Sequence, residues 1–237
     1  MMEENAQRIS PNTAAVRMLV SFLFSWLLTL ALLFGGAGTL SWTLGWLFAI
    51  AWLVPKLVFF VVLRLRHPEL LVERATRHEN TPQYDRILLP IYFVFAFGAL
   101  LVGALDGGRF HWSGELSVAL IVVAYILYLI GNSIAGWAIN ANAFFSSESR
   151  LQTDRDQVVV KSGPYQYIRH PSYSVSVILW VVTGPMLESW WAVLPGFLAG
   201  LMMIIRTVYE DRMLLDELPN YAEYAQQVRY RLFPGIW

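Results

Sequence analysis

The chain has 237 residues, of which 57% are hydrophobic and 14% charged, and its 17 basic and 17 acidic side chains give a formal net charge of zero. Soluble domains usually carry about 25% charged residues, so this composition argues against an ordinary soluble protein. The balanced charge argues against a generally basic nucleic-acid-binding protein. The absence of cysteine from the sequence excludes disulfides, thiolate nucleophiles and thiolate metal sites.

Five long apolar stretches contain only two charged residues between them, Lys56 and Glu188. Each of the first four stretches is long enough to cross a hydrocarbon core of roughly 30 Å as a helix. The fifth is interrupted by Gly184 and Pro185, which predicts a helical hairpin whose two arms are both short for a full span. The stretches are residues 18–34, 42–63, 87–105, 116–139 and 174–205.

The predicted fold is therefore all-α. It is a polytopic membrane bundle of about six membrane helices, of which the last two form the short hairpin, followed by cytoplasmic C-terminal helices. Asn220, with Glu223 three residues later, predicts an N-cap and a capping box at the start of the last helix. The expected organisation is an N-terminal region of four spans over residues 1–139 and a second region over residues 140–237.

The positions of Lys and Arg predict the orientation in the membrane. If the N-terminus is cytoplasmic, all but two of the 17 basic residues fall on that side, the exceptions being Arg109 on the opposite side and Lys56 within a span. Basic residues concentrate in cytoplasmic loops. We therefore expect an integral, multi-pass membrane protein (of the inner or cell membrane if bacterial), with both termini and the active site on the cytoplasmic side.

Two isolated features have simple structural interpretations. A charge inside the membrane is by default a functional hypothesis, but Lys56 lies near the cytoplasmic end of its span, so snorkelling or a bundle-facing structural role is favoured. The four histidines show none of the spacings of a helical zinc site. We therefore expect no metal.

The first informative stretch is residues 163–173, GPYQYIRHPSY. Gly163 and Pro164 predict a turn, and Pro171 suits the first position of the helix that enters the membrane. Arg169 and His170 then lie at the mouth of that helix, beside backbone N–H groups that favour an anion. A plain aromatic and arginine belt at the membrane interface is the alternative. The aromatic residues around this point are Tyr165, Tyr167 and Tyr173.

The second informative stretch lies on the return helix of the hairpin. Arg206 and Glu210 are four residues apart and share one helical face, with Asp211 adjacent. Alone, such a pair is often only a surface ion pair. Because the hairpin brings both stretches to one end of the bundle, we expect tyrosines, arginine, histidine and carboxylate to form a site for a zwitterionic or cationic ligand.

At these residues the chain resembles the isoprenylcysteine carboxyl methyltransferase (ICMT) family and its relatives, the membrane phospholipid N-methyltransferases. The shared pattern is a GPY turn, an RHPxY motif, an RxxxE motif, a YxxY motif and a VRxRLxP motif. In this chain they are residues Gly163–Tyr165, Arg169–Tyr173, Arg206–Glu210, Tyr221–Tyr224 and Val228–Pro234. The resemblance covers about residues 140–237 and implies that this region is catalytic.

The resemblance implies S-adenosyl-L-methionine as cofactor, bound between the loop before the hairpin and the return helix. Arg206 is similar to the family's substrate-contacting arginine, and Arg206, Glu210 and His170 are the expected catalytic residues. The chain departs from the family pattern at Val175, where glycine is common, and at Asp211, where a second glutamate is usual. The expected cofactor contacts are Gln157, Val158, Val159, Val160, Tyr165, Arg169, His170, Pro171, Ser172, Tyr173 and Glu210.

The favoured function is that of an integral-membrane methyltransferase acting on a lipophilic small molecule, with the lipid bilayer as its other partner. A carboxylate acceptor is favoured over an amine, because the cation of Arg206 is unhelpful beside an amine headgroup. N-methylation of a phospholipid or another lipid amine is the first alternative. A non-enzymatic transporter or assembly protein on the same scaffold is the second.

Overall fold

In a computed structural model of the chain, residues 9–76 and 81–237 are described, so Arg8, Arg77 and His78 lie outside the described residues. Every regular element in the described ranges is helical, which confirms the all-α prediction. In chain order the helices are α1 (Pro11–Ala37), α2 (Thr43–Arg66), α3 (Pro68–Ala75), α4 (Gln83–Leu105), α5 (Val118–Ala141), α6 (Pro171–Met186), α7 (Val193–Glu217) and α8 (Tyr221–Gln227).

Five helices are long and apolar enough to cross a membrane: α1, α2, α4 with its extension to Phe110, α5 and α7. They coincide with the predicted apolar stretches, and the chain is an integral membrane protein. The hairpin is formed by α6, of 16 residues, and α7, of 25 residues. The second arm is long enough for a full span, contrary to the prediction, because the helix continues past Asp211 to Glu217. The assignment of the polar end to the cytoplasm stays a prediction.

Two helix ends differ in detail from the expectation. α6 continues through Gly184 and Pro185 to Met186, since a proline in the last turn removes only one helical hydrogen bond. α8 begins directly after Asn220 as predicted, but Asn220 adopts a left-handed conformation with φ of 64° and its side chain makes no capping hydrogen bond. The predicted capping box is therefore wrong.

The helices pack into one bundle in which α4 lies against α1 and α7, while α6 lies between α5 and α7. The main buried cluster includes Leu33, Phe48, Leu100, Tyr128 and Met186. A second cluster holds the amphipathic helix α3 against α1 and α2. A third packs the α7 end against α8. This last cluster fixes the polar end of the bundle, where the predicted site residues lie.

Close contact between the two hairpin arms depends on Gly196 of α7. A Cβ atom at this position would lie 2.2 Å from the carbonyl oxygen of Trp180 in α6, so the arms approach closely only because no side chain intervenes. We expect Gly196→Ala to lower the free energy of unfolding by about 1–3 kcal/mol. Thermal unfolding in detergent measures the change.

Gly136→Ala is the matched control, since a Cβ there meets nothing within 4 Å. Gly136 lies within α5, where alanine is a better helix former than glycine by about 1 kcal/mol. The control is therefore expected to match or exceed the stability of the wild type. Equal stability of the two variants would contradict the close packing of the hairpin.

Candidate active site

A cavity of about 800 Å³, partly open to solvent, lies at the polar end of the bundle. Its walls come from the segment after α5, the loop before the hairpin, the mouth of α6, the polar half of α7, and α8. Lining residues include Asn142, Phe144, Phe145, Ser146, Glu148, Ser149, Arg150, Gln152, Met213, Leu214, Leu218, Tyr221 and Tyr224.

The GPY turn brings the loop before the hairpin against the end of α5. Gly163 has a φ of 60°, and a Cβ there would lie 2.8 Å from the Cβ of Ala141, so both backbone conformation and space require glycine. Tyr165 follows in the turn and is buried. The Tyr165 hydroxyl accepts a hydrogen bond from Asn142 (3.1 Å), and its carbonyl accepts one from the Tyr224 hydroxyl (2.6 Å). Burial raises the pKa of Tyr165, which keeps its phenol neutral.

Glu210 of α7 presents its carboxylate to the cavity. The Tyr173 hydroxyl donates a hydrogen bond to Oε2 at 2.6 Å, and the Ser149 hydroxyl donates to the same oxygen. The other oxygen, Oε1, lies 3.7 Å from Nδ1 of His170. Glu210 is thus oriented by groups from α6 and from the segment after α5, while its carboxylate lines the cavity.

Asp211, the next residue, lies behind the cavity wall and is 1% exposed. It accepts two hydrogen bonds from Arg169 (2.8 and 2.9 Å) and one from Arg231 (2.7 Å). The Tyr221 hydroxyl donates at 2.9 Å, and Nε2 of His170 lies 3.2 Å away. Burial alone would lower the pKa of Arg169, but its hydrogen bonds to Asp211, the charge of that carboxylate and the nearby tyrosines together raise it. Asp211 therefore joins α7, the mouth of α6, α8 and the C-terminal segment.

The C-terminal segment closes over the mouth of α6. The backbone N–H groups of Arg169 and His170 donate to the carbonyls of Tyr230 (3.0 Å) and Arg231 (2.9 Å), and the Ser174 hydroxyl donates to the carbonyl of Leu232 (2.6 Å). The sequence suggested that N–H groups at this mouth receive an anion. These two are already bonded to the chain itself.

Arg206 does not line the cavity but lies one helical turn behind Glu210. Its Nε and Nη2 atoms donate to the two carboxylate oxygens of Asp85 on α4, at 2.6 and 3.1 Å, and Nη2 also donates to the carbonyl of Ser147 (3.1 Å). Asp85 is fully buried and accepts a hydrogen bond from the backbone of Ser149 at 2.9 Å. Among the described residues, Nη1 of Arg206 makes no hydrogen bond, and the guanidinium carbon lies 5.1 Å from the Tyr173 ring centroid.

Most of the predicted cofactor contacts line this one cavity: Gln157, Val158, Val159, Val160, Tyr165, Arg169, His170, Ser172, Tyr173 and Glu210. Pro171 and Arg206 are not part of its wall. Tyr167 is 60% exposed and lies outside, beside Trp137.

Val175 is buried and faces Gly131 of α5, where an added Cβ would lie 3.3 Å from a Val175 methyl group. The departure at Val175 therefore concerns the packing of α5 against α6.

The motifs in the sequence did not indicate the segment of residues 142–152 or the role of Asp85. Signals for both exist. Residues 146–150, SSESR, form the first polar run after an apolar stretch, and Asp85 directly precedes another apolar stretch. A charge at such an edge needs a partner if it is buried, but the sequence does not show which one.

Among the described residues, no group of three or more His, Asp or Glu side chains could hold a metal ion.

Comparison with known proteins adds three findings. The sequence model of the isoprenylcysteine carboxyl methyltransferase (ICMT) family matches residues 118–216. The cobalt-zinc-cadmium resistance protein CzcN of Cupriavidus metallidurans is 37% identical over 130 residues, which cover 54% of this chain and 56% of that protein. The chain thus spans little more than half the length of this curated relative.

The third finding concerns the fold. The structure of the eukaryotic intramembrane Ras methyltransferase ICMT (isoprenylcysteine carboxyl methyltransferase) superposes with a TM-score of 0.54 and 22% identity, covering 88% of this chain and 73% of that chain. At this identity the likeness shows a shared fold. The resemblance predicted from the motifs is confirmed, with a match that begins at α5 and ends before α8. Over residues 118–216, the chain is similar to the isoprenylcysteine carboxyl methyltransferase family.

Proposed function

We propose that the protein is an S-adenosyl-L-methionine-dependent methyltransferase that acts within the membrane on a lipophilic acceptor, with a carboxylate as the favoured acceptor group. The observation that carries the proposal is that a single cavity is lined by Gln157–Val160, Tyr165, His170, Ser172, Tyr173 and Glu210. These positions are similar to the family's cofactor contacts, and they come from separate segments of the chain.

The chemistry of the cavity fits the proposed cofactor. Glu210 offers a carboxylate that could accept hydrogen bonds from an amino group, and the ring of Tyr173 offers an aromatic face to a sulfonium cation. Val158, Val159 and Leu218 offer apolar surface to an adenine ring. When bound, S-adenosyl-L-methionine would supply an electrophilic methyl group on a positively charged sulfur for transfer to an acceptor oxygen, and the electron pair of the carbon–sulfur bond would remain on sulfur.

The residues of the chain would contribute positioning and the exclusion of water. An ionised carboxylate acceptor has no proton to lose, so no general base is required. This agrees with the environment of His170, whose two ring nitrogens face Asp211 (3.2 Å) and Glu210 (3.7 Å). We assign His170 the role of holding the mouth of α6 against α7, with Glu210 as the cofactor contact.

Calorimetry with S-adenosylhomocysteine on detergent-purified protein tests the cofactor site. We expect the wild type to bind and Glu210→Gln to bind about tenfold or more weakly, because a hydrogen bond to a charged group contributes about 1.5–3 kcal/mol. Glu217→Gln is the matched control, since Glu217 is an exposed acid on the same helix. Failure of the wild type to bind at millimolar ligand would overturn the proposal and favour a non-enzymatic role.

A second experiment identifies the acceptor group. Protein incubated with methyl-labelled S-adenosyl-L-methionine and a membrane lipid extract is expected to label a lipid species that releases labelled methanol in mild base, as a methyl ester does. A label that resists base on a lipid amine would instead establish the N-methyltransferase alternative. This outcome would overturn the assignment of a carboxylate acceptor and leave the cofactor assignment intact.

A further inference from the structure

Arg74 of α3 lies beside the cavity and is not explained by the contacts described above. Its guanidinium carbon lies 5.3 Å from the ring centroid of Phe59 on α2 and 5.2 Å from that of Phe145, and Phe145 lines the cavity. The only hydrogen bond of the Arg74 side chain in the described ranges is a long one, from Nη1 to the carbonyl of Phe145 at 3.4 Å. Aromatic rings thus hold the group, while most of its N–H donors bond to none of the described residues.

The charge of Arg74 also has no acidic partner among the described residues. Within residues 9–76 and 81–237, no carboxylate oxygen lies within 4.0 Å of it, whereas the other arginines around the cavity have acidic partners: Arg150 with Glu73 and Asp154, Arg169 and Arg231 with Asp211, and Arg206 with Asp85. In the same ranges, Nε of Arg74 is the one buried nitrogen of a charged side chain that lacks a hydrogen-bond partner. Arg74 as a whole is partly buried, and a charge that is partly removed from water and has no partner is unfavourable unless something neutralises it.

The charge state and the surroundings of Arg74 are suited to binding an anion. Burial is the main reason that the pKa of Arg74 is lowered to about 10, and the nearby charge of Arg206 acts in the same direction, so the side chain still carries its charge at neutral pH. Arg206 also has a free Nη1 atom among the described residues, and it lies one helical turn closer to the apolar half of α7 than Glu210 does. Two guanidinium groups with free donors therefore lie together next to the site assigned to the cofactor.

We propose that Arg74 binds the anionic headgroup of the methyl acceptor, a carboxylate, and thereby selects an anionic acceptor. The inference rests on the proposed function and adds to it the residue that recognises the acceptor. Phe59 and Phe145 provide apolar surface beside the charge, as a lipophilic carboxylate requires. The planar guanidinium can pair with both oxygens of a carboxylate ligand. An uncharged amide group in place of the carboxylate cannot form this interaction.

Calorimetry with a matched pair of probes tests the inference on the full-length protein in detergent, saturated with S-adenosylhomocysteine. The probes are N-acetyl-S-farnesylcysteine and its carboxamide, which differ only in the charged group. We expect the wild type to bind the acid about tenfold or more tightly than the amide. Arg74→Gln should lose most of this preference, and Arg74→Lys should retain a larger part of it.

The control is Arg64→Gln, which removes one positive charge from the end of α2, where Arg64 donates a hydrogen bond to Asn12 (2.8 Å). Arg64→Gln should keep the full preference for the acid. All three variants should bind S-adenosylhomocysteine as the wild type does. Calorimetry with this ligand therefore distinguishes a loss of cofactor binding from a loss of acceptor recognition. If Arg74→Gln keeps the preference, or if the wild type shows none, the inference is wrong.

A phosphate of a bilayer lipid could also neutralise Arg74. Binding of n-dodecyl phosphate distinguishes a lipid phosphate from the carboxylate of the acceptor. We expect this probe to compete with the farnesylated acid for one site and to bind no more tightly than the acid. Binding of n-dodecyl phosphate that requires Arg74 but does not displace the acid would identify a structural lipid site. That result would overturn the assignment to the acceptor.

Discussion

Asp211→Ala is expected to lower the free energy of unfolding by about 3–5 kcal/mol, the range for removing one partner of a buried ion pair. Asp211 is 1% exposed, and its removal leaves the charges of Arg169 and Arg231 without their acidic partner and the Tyr221 hydroxyl without its acceptor. Because these groups fix the mouth of α6 and the C-terminal segment, binding of S-adenosylhomocysteine should be lost as well. Thermal unfolding in detergent and calorimetry measure the two effects.

Asp216→Ala is the control for this prediction. Asp216 lies on the same helix, is 68% exposed and is 3.9 Å from Arg212, and exposed pairs of this kind contribute little. Its loss should change the free energy of unfolding by no more than about 0.5 kcal/mol and leave ligand binding unchanged. Comparable stability of the two variants, or wild-type binding by Asp211→Ala, would contradict the role of Asp211 as the residue that joins these segments.

Glu210 and Asp211 illustrate what the sequence reveals and what it does not. The spacing of Arg206 and Glu210 correctly predicted a shared helical face, because residues four apart align along a helix. Neighbouring residues, however, point about 100° apart. Glu210 therefore faces the cavity while Asp211 faces the C-terminal segment. The sequence shows two adjacent acids, and only the packing of α6 and α8 against α7 separates their surroundings.

The membrane helices were predictable because lipid and water impose opposite demands on side chains over lengths of about 20 residues. The hairpin was predictable from the break at Gly184 and Pro185. The last turns of α7 were not, since the apolar stretch ends at Ile205, the spacing of Arg206 and Glu210 extends the helix only to Glu210, and helical propensity alone does not show that it continues to Glu217. The partner of Arg206 was equally hidden: Asp85 lies on α4, and their contact depends on how α4 and α7 are aligned in the bundle.

That contact yields a second prediction with a large effect. Asp85→Asn leaves the charge of Arg206 unpaired, and Arg206→Met leaves the charge of Asp85 unpaired, so each single substitution should lower the free energy of unfolding by about 3–5 kcal/mol. The double variant removes both charges, and the amide oxygen introduced by Asp85→Asn can still accept the hydrogen bond from the Ser149 backbone. Its stability should exceed that of either single variant, as measured by thermal unfolding in detergent.

The same double variant separates the structural role of Arg206 from its proposed contact with the acceptor. If Arg206 also helps to bind the acceptor through its free Nη1 atom, the double variant should regain stability and S-adenosylhomocysteine binding while methyl transfer stays at least about tenfold below the wild type, the loss expected for one hydrogen bond to a charged group. Recovery of methyl transfer together with stability would show that Arg206 acts only through Asp85. Arg74 would then be the sole cation assigned to the acceptor, because the other arginines around the cavity are paired with carboxylates of the chain itself.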